Sequence, residues 1–442
     1  MSPNRSYPLR LGVAEIDITP TKPVSMIGYI RPDPSQGMYH PLSAKALYLT
    51  DGATEAILLC ADLCLFSSDV TTRFRKAMAR AASVPPGNII LSASHTHTGP
   101  RISDTIIDET GSADPGYVAT LATRLAAVAR EAKLKARAGR VEFSRVRSRL
   151  GVNRRLVIDG QVHLNPNPEG AHDRAVDTRW FIGRDGRLVA TLTTYGCHAT
   201  VLSGQLLGGD YPGYFKDRME ARTGAPALWS AGCGANVRPA ILRDDLTFGE
   251  GTLEDARAMG FAHADEVLAG RRGAFSVESA ALRISRRWAW LPFQKPWTLR
   301  ELKDVMSPRV VEQFGAKLAS IHAKACRRRV ARCETQVLSL NPAHHLVYWG
   351  GEICTEVGLG LKDLCPGQIV TPHGYANSMV GYVPAENMFP QGGYEVLRSG
   401  FYFGMPAPFV PNVQERLWHA ALSLIESHRR SAGPARGPSA AR

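Results

Sequence analysis

The chain has 442 residues, 44% of them hydrophobic and 21% charged, with a formal net charge of +13. This is ordinary globular composition with room for a sizeable core, so it excludes a disordered chain and makes disulfide bracing unnecessary. No run of about 18 uncharged apolar residues is present, which excludes a membrane-spanning helix.

In chain order, residues 11–14 read as a strand that breaks at Thr19-Pro20, and 44–49 with 56–60 as a hairpin around Asp51-Gly52. Residues 68–82 read as a helix started by Ser67 or Ser68 and ended before Pro85-Pro86. The apolar run 89–93 is a short strand leading into Ser94-His95-Thr96-His97-Thr98-Gly99-Pro100. A polar loop, 101–116, precedes an amphipathic helix over 117–135. Strands are expected at 140–148, 178–182 and 188–195, the last running into Gly196-Cys197-His198. A short helix at 214–222, a strand at 227–230 and a helix at 253–269 follow. Residues 288–297 are aromatic and contain proline, which predicts an irregular excursion, and 299–332 read as mostly helical and basic. A strand at 345–349 gives way after Gly350-Gly351 to a helix from Glu352 to about 364. A strand at 368–371 and a closing helix at 413–428 complete the pattern. The alternation predicts an α/β fold with mixed sheets flanked by helices, one domain over 1–428, and a disordered basic tail at 429–442.

The eight cysteines include no Cys-x-x-Cys pair and read as reduced core residues. The start of the chain is polar, contains Pro3 and Pro8, and lacks the apolar centre of a secretory leader, so a cytoplasmic setting is expected. Much of the positive charge lies between Arg283 and Arg332 and after Arg429. No helix-turn-helix, RNA-recognition or zinc-finger spacing accompanies it, so a solvated basic face is expected and no nucleic-acid partner. Trp288, Trp290, Phe293 and Trp297 are candidates for an acyl pocket, for peripheral membrane contact, or for a small core under a loop.

His95 and His97 stand two apart at the end of an apolar strand, and in extended backbone they would share a face, which makes a metal half-site. His198 also follows a strand, and crevices at strand ends are where α/β sheets bind ligands. Glu352, expected at a helix start, and Glu356 one turn later compete as carboxylate ligands. No Gly-x-Ser-x-Gly, His-Glu-x-x-His or P-loop motif is present.

The run Ser94–Pro100 resembles the His-Thr-His-Ser/Thr-Gly-Pro signature of the neutral, non-lysosomal ceramidases. Further blocks follow in that family's order: Gly151-Val152-Asn153-Arg154, Gly196-Cys197-His198-Ala199-Thr200, Gly209-Asp210-Tyr211-Pro212-Gly213, Gly351-Glu352-Ile353, Gly381-Tyr382-Val383-Pro384 and Gly392-Gly393-Tyr394-Glu395. The resemblance spans about residues 11–395. It implies the ceramidase catalytic-domain fold and a zinc ion held by His95, His198, Glu352 and Tyr382. It further implies that His97, Arg154 and Tyr394 act in catalysis, that Asp210 lies in a substrate loop, and that an N-acyl amide is hydrolysed by metal-activated water. The sequence departs from the pattern at Gly234-Ala235-Asn236-Val237-Arg238, where Arg238 stands in the place of the family's serine, and the expected fold is without the family's immunoglobulin-like C-terminal domain. Arg238 suits the carboxylate or phosphate of a smaller, more polar substrate than ceramide. The rival readings are a zinc esterase or lactone/lactam hydrolase, and a non-catalytic basic binding protein.

Overall fold

Period-two patterning builds the main sheet. In the hairpin Ser43–Thr50 and Glu55–Ala61, the side chains of Ala46, Tyr48, Ile57 and Leu59 enter one core while Leu47, Leu49, Leu58 and Cys60 enter another. Both faces are therefore covered, as in layered α/β proteins. The structure is a computed structural model that describes residues 9–107, 111–277 and 281–431. Most of the expected tail lies outside the described residues, and Arg429–Ser431 end the closing helix Val413–Ser431.

The main sheet has nine strands. Eight run in the order Ala227–Ala231, Leu188–Tyr195, Ala175–Gly183, Arg137–Arg147, Leu9–Asp17, Ser43–Thr50, Glu55–Ala61 and Ile89–Ala93, and Phe275–Val277 pairs with Arg137–Arg147. The sheet curls until its end strands touch: Ser92 Oγ lies 2.8 Å from Ser230 Oγ. One face packs on the helices Ser68–Ala82 and Pro115–Leu134 through Phe74, Met78, Leu121 and Leu125. Asp114 caps the second of these by accepting from Tyr117 N, with Pro115 in the first turn. The other face meets a four-stranded sheet, Arg283–Pro292, Val330–Asn341, His344–Trp349 and Ile369–His373, through Leu338, Leu346 and Tyr348. The far side of that sheet is covered by Thr355–Asp363 and Val413–Ser431 through Val357, Leu361, Leu417 and Ala421. The result is helix, sheet, sheet, helix.

Two expectations are corrected. The first half of the aromatic stretch at 288–297 is no excursion: Arg283–Pro292 is a ten-residue strand in unbroken antiparallel register with Val330–Asn341, and only 293–297 are irregular as expected. Trp288 and Trp290 alternate outward while Ala289 and Leu291 fill the core, a period-two signal that the proline masked. The basic segment 299–332 is mostly helical, as expected, in three short helices, Leu299–Val305, Pro308–Phe314 and Lys317–Ala325, before the strand begins at Val330. Glu352 does not open a helix. Glu352–Ile353 is a short strand parallel to Tyr382–Val383, and the helix begins at Thr355. A hairpin not expected, Gly151–Ile158 with Gln161–Asn167, turns on Asp159-Gly160, both at positive φ, a legible turn signal.

Candidate metal centre

Loops from three sheets converge at one crevice. After Ile89–Ala93 the chain leaves extended geometry: His95 has φ 61°, so the two histidines do not share a face by strand alternation. Backbone bonds hold this conformation, from His95 N to Leu63 O at 3.0 Å and from Ser94 N to Ala61 O at 2.9 Å. Thr96 bridges to Ala199, pinning the His95 loop to the His198 loop. Glu352 and Tyr382 are direct register partners in the two-stranded sheet.

His95 Nδ1 lies 2.7 Å from Cys64 O, and His198 Nδ1 lies 3.0 Å from Gly234 O and 3.1 Å from Val237 O. A carbonyl oxygen only accepts, so both Nδ1 atoms carry protons and both Nε2 atoms face the crevice. There, His95 Nε2 is 3.4 Å and His198 Nε2 is 3.3 Å from Glu352 Oε2. The Tyr382 hydroxyl is 3.4 Å from His198 Nε2. Glu352 Oε2 is buried and forms no hydrogen bond among the described residues. These spacings exceed an ordinary N–H···O bond of about 2.7–3.2 Å. They match the edge of a tetrahedron with ligand bonds of about 2.05 Å, which is about 3.35 Å. The donor set fits a small divalent cation.

The charges agree. Burial raises the Glu352 pKa, but His95 and His198 outweigh it and hold the carboxyl well below its ordinary range. Burial lowers His95, but Cys64 and Glu352 raise it to about 10. Burial and the Arg154 charge lower His198 to about 4. Burial, with His95 and His198 adding to it, depresses His97. One anion is thus answered by one proton on His95, which a metal ion would displace.

His97 Nε2 lies 3.1 Å from His95 Nε2. Gly28, at φ 104°, makes room for its ring: a Cβ there would fall 2.5 Å from His97 Cγ. Tyr394 packs edge-on to Tyr382 with centroids 5.4 Å apart. Arg154 donates to Glu395 Oε1 at 2.9 Å and lies 3.4 Å from the Tyr382 hydroxyl. It is occupied behind the ligands and is absent from the cavity wall. Asp210 is fully buried, at φ 54°, and accepts from the backbone N–H of Val201, Leu202 and Tyr211. It braces the His198 loop and does not line the cavity. The Asn236 amide donates from Nδ2 to both oxygens of Glu356, at 3.2 and 2.9 Å, away from the donor set.

A cavity of about 410 Å3 opens beside the centre, lined by His95, His97, Glu352, Tyr382 and Tyr394 and walled by Ile27, Ile30, Ile106, Val310 and Phe403. Sequence reasoning missed Tyr375, which stacks on His95 at 4.0 Å, along with Cys64, Tyr29 and Arg31. Only Glu395 had a signal, since the adjacent Arg154 and Arg155 require a carboxylate.

Over 97% of this chain and 75% of the other, the backbone matches the crystal structure of neutral ceramidase from Pseudomonas aeruginosa, with a TM-score of 0.73 at 17% identity. The chain has the neutral ceramidase fold. A ceramidase solved in complex with C2 matches over 96% of this chain and 76% of its own, with a TM-score of 0.71 at 17% identity. No protein-family model and no curated protein matches the chain. The ceramidase fold accounts for the mixed sheets and flanking helices expected from the sequence. Among the described residues no helix is long and apolar enough to cross a membrane.

Proposed function

We propose that the chain is a zinc-dependent hydrolase that cleaves a linear N-acyl amide bond of a small, partly lipid-like molecule. One observation carries this reading: His95 Nε2 and His198 Nε2 sit at tetrahedral-edge distance from a Glu352 oxygen that has no hydrogen bond among the described residues. His95, His198, Glu352 and Tyr382 would hold the zinc, a mixed N/O set that the ion tolerates. Zinc bound there supplies Lewis acidity, acidifying a water and polarising an acyl carbonyl.

The chain's own residues supply the rest. His97, kept neutral by burial and by its two imidazole neighbours, takes a proton at Nε2 and returns it to the leaving amine. The Tyr394 phenol, kept protonated by burial, donates to the developing oxyanion. Arg154 positions Tyr382 and so supports the site from behind. The apolar wall shelters the acyl chain from water.

Trp288 and Trp290 are 38% and 53% exposed on one face of their strand, and Arg332 lies 5.4 and 5.7 Å from their rings. This aromatic and basic face supports peripheral contact with an anionic membrane surface. All eight cysteines are free, which supports a reducing, cytoplasmic setting.

The test is a panel of matched amide, ester and lactam substrates assayed before and after chelation. Linear-amide cleavage that disappears with chelator and returns with zinc is expected. Activity indifferent to chelation would end the proposal.

A further inference from the structure

A second cavity, of about 310 Å3, lies beside the first and shares Ile106 and Phe403 with its wall. None of the four candidate zinc ligands lines it. Two guanidinium groups do, those of Arg328 and Arg332, and among the described residues no carboxylate lines it. Arg238, the arginine that the sequence suggests for an anion, lines neither cavity; its guanidinium rests 4.5 Å from the centroid of the Phe248 ring.

Arg328 is half-buried, and its Nη1 donates to Phe403 O and Gly404 O, each at 2.7 Å. These bonds fix the side chain and leave Nε and Nη2 without a partner among the described residues. Those two N–H groups share one edge of the planar guanidinium, the fork that takes two oxygens of a phosphate. Arg332 is exposed and lies 5.4 Å from the centroid of the Trp288 ring, which also lines the cavity. It makes no ion pair among the described residues.

The 15-residue helix Ser68–Ala82 starts at the same space, which Ser67 and Ser68 line. Ser67 does not cap this helix. Its hydroxyl donates to Asp69 Oδ1, so no side chain takes the first N–H groups, and the positive end of the helix is left for an anion. Asp69 also accepts from Ser103 Oγ at 3.2 Å and lines a different cavity. Ser378 lines the phosphate-sized space too: it is 7% exposed, and its hydroxyl makes no hydrogen bond among the described residues. A polar group so enclosed is costly until a ligand answers it.

We propose that this cavity is a binding site for a phosphate ester. Arg328 Nε and Nη2, Arg332 and the start of the helix take the phosphate oxygens, and Ser378 donates a further bond. A carboxylate has too few oxygens to answer all four. The volume leaves room for the alcohol part of the ester. The same chemistry is offered by a phospholipid head, since Trp288 and Trp290 stand exposed on the adjoining strand, and by a soluble phosphate ester. The site does not depend on the hydrolase reading.

Calorimetry on the zinc-loaded protein with glycerol phosphate, and with glycerol as the uncharged control, tests the soluble source. Co-sedimentation with phosphatidylcholine vesicles carrying phosphatidic acid, against vesicles carrying oleate at matched surface charge, tests the lipid source. At least one phosphate probe is expected to bind about tenfold or more tightly than its control, and Arg328→Gln or Arg332→Gln to erase most of that preference, the value of one charge-assisted contact. Ser378→Ala should weaken binding about threefold. Arg332→Gln and Ser378→Ala leave the Arg328 bonds to Phe403 and Gly404 in place, so they decide the matter if Arg328→Gln does not fold. A preference for glycerol phosphate alone assigns a soluble ester, one for phosphatidic acid alone a lipid head, and both together a site open to either. No preference in either pair, or a preference that the substitutions leave unmoved, overturns the site.

Discussion

Arg154 donates from Nε to Oε1 of Glu395 at 2.9 Å, across 241 residues of sequence. The second oxygen of that carboxylate accepts from Arg155 Nη1 at 2.6 Å, so one buried anion ties two arginines of the Gly151–Ile158 strand to the segment carrying Tyr394. Burial raises the Glu395 pKa, but Arg154 and Arg155 outweigh it and hold the group below its ordinary value. Its contribution is therefore present above the ordinary carboxylate range and lost as pH falls through the depressed value. Glu395→Gln is expected to destabilise the protein by about 3–5 kcal/mol at neutral pH, because it leaves two buried guanidinium groups unanswered. Urea denaturation measures this, and an unchanged midpoint would refute it.

Glu356 gives the opposite pH signature. Burial pushes its carboxyl up to about 7, against the opposing amide of Asn236. The folded state thus binds the proton more tightly than the unfolded state, and stability falls as pH rises from the ordinary carboxylate value to about 7. Glu356→Gln keeps an acceptor for Asn236 and removes the charge. It should match wild type near pH 4 and be more stable by about 2–3 kcal/mol at pH 8. Thermal melts at the two pH values decide it, and equal effects at both would count against the assignment.

His97→Ala should keep the metal and lose about 10²- to 10⁴-fold in kcat, the usual span for a general acid–base group. Metal analysis and kinetics on one preparation separate the two quantities. Loss of metal together with activity would make His97 a ligand. Gly28→Ala should reproduce part of the defect, since its Cβ would crowd His97 from a φ of 104° that L-residues rarely adopt.

The Trp288 and Trp290 face predicts salt-sensitive binding to vesicles containing phosphatidylglycerol and little binding to neutral ones. The double alanine variant should weaken co-sedimentation, and binding independent of both tryptophans would remove the membrane contact.

Much of this was legible in the sequence where local pattern decides structure. The helix Ser68–Ala82 buries Val70, Phe74 and Met78 at helical spacing, and Ile89–Ala93 is a fully buried apolar strand, so both were read at their observed bounds. The strand at Glu352 is not legible in the sequence because its two residues pair only with Tyr382–Val383, far along the chain. The positive φ of His95 is imposed by bonds to Leu63 and Ala61, which no spacing rule reports. Tyr29 and Arg31 sit in a loop without a motif, and their meaning comes from what packs around them.

The most direct test of the central claim is the zinc content, by mass spectrometry, of wild type and of His95→Ala, His198→Ala and Glu352→Ala, each shown to be folded. The account predicts about one zinc per wild-type chain and a large loss in every variant. Stoichiometric zinc retained in all three would contradict it.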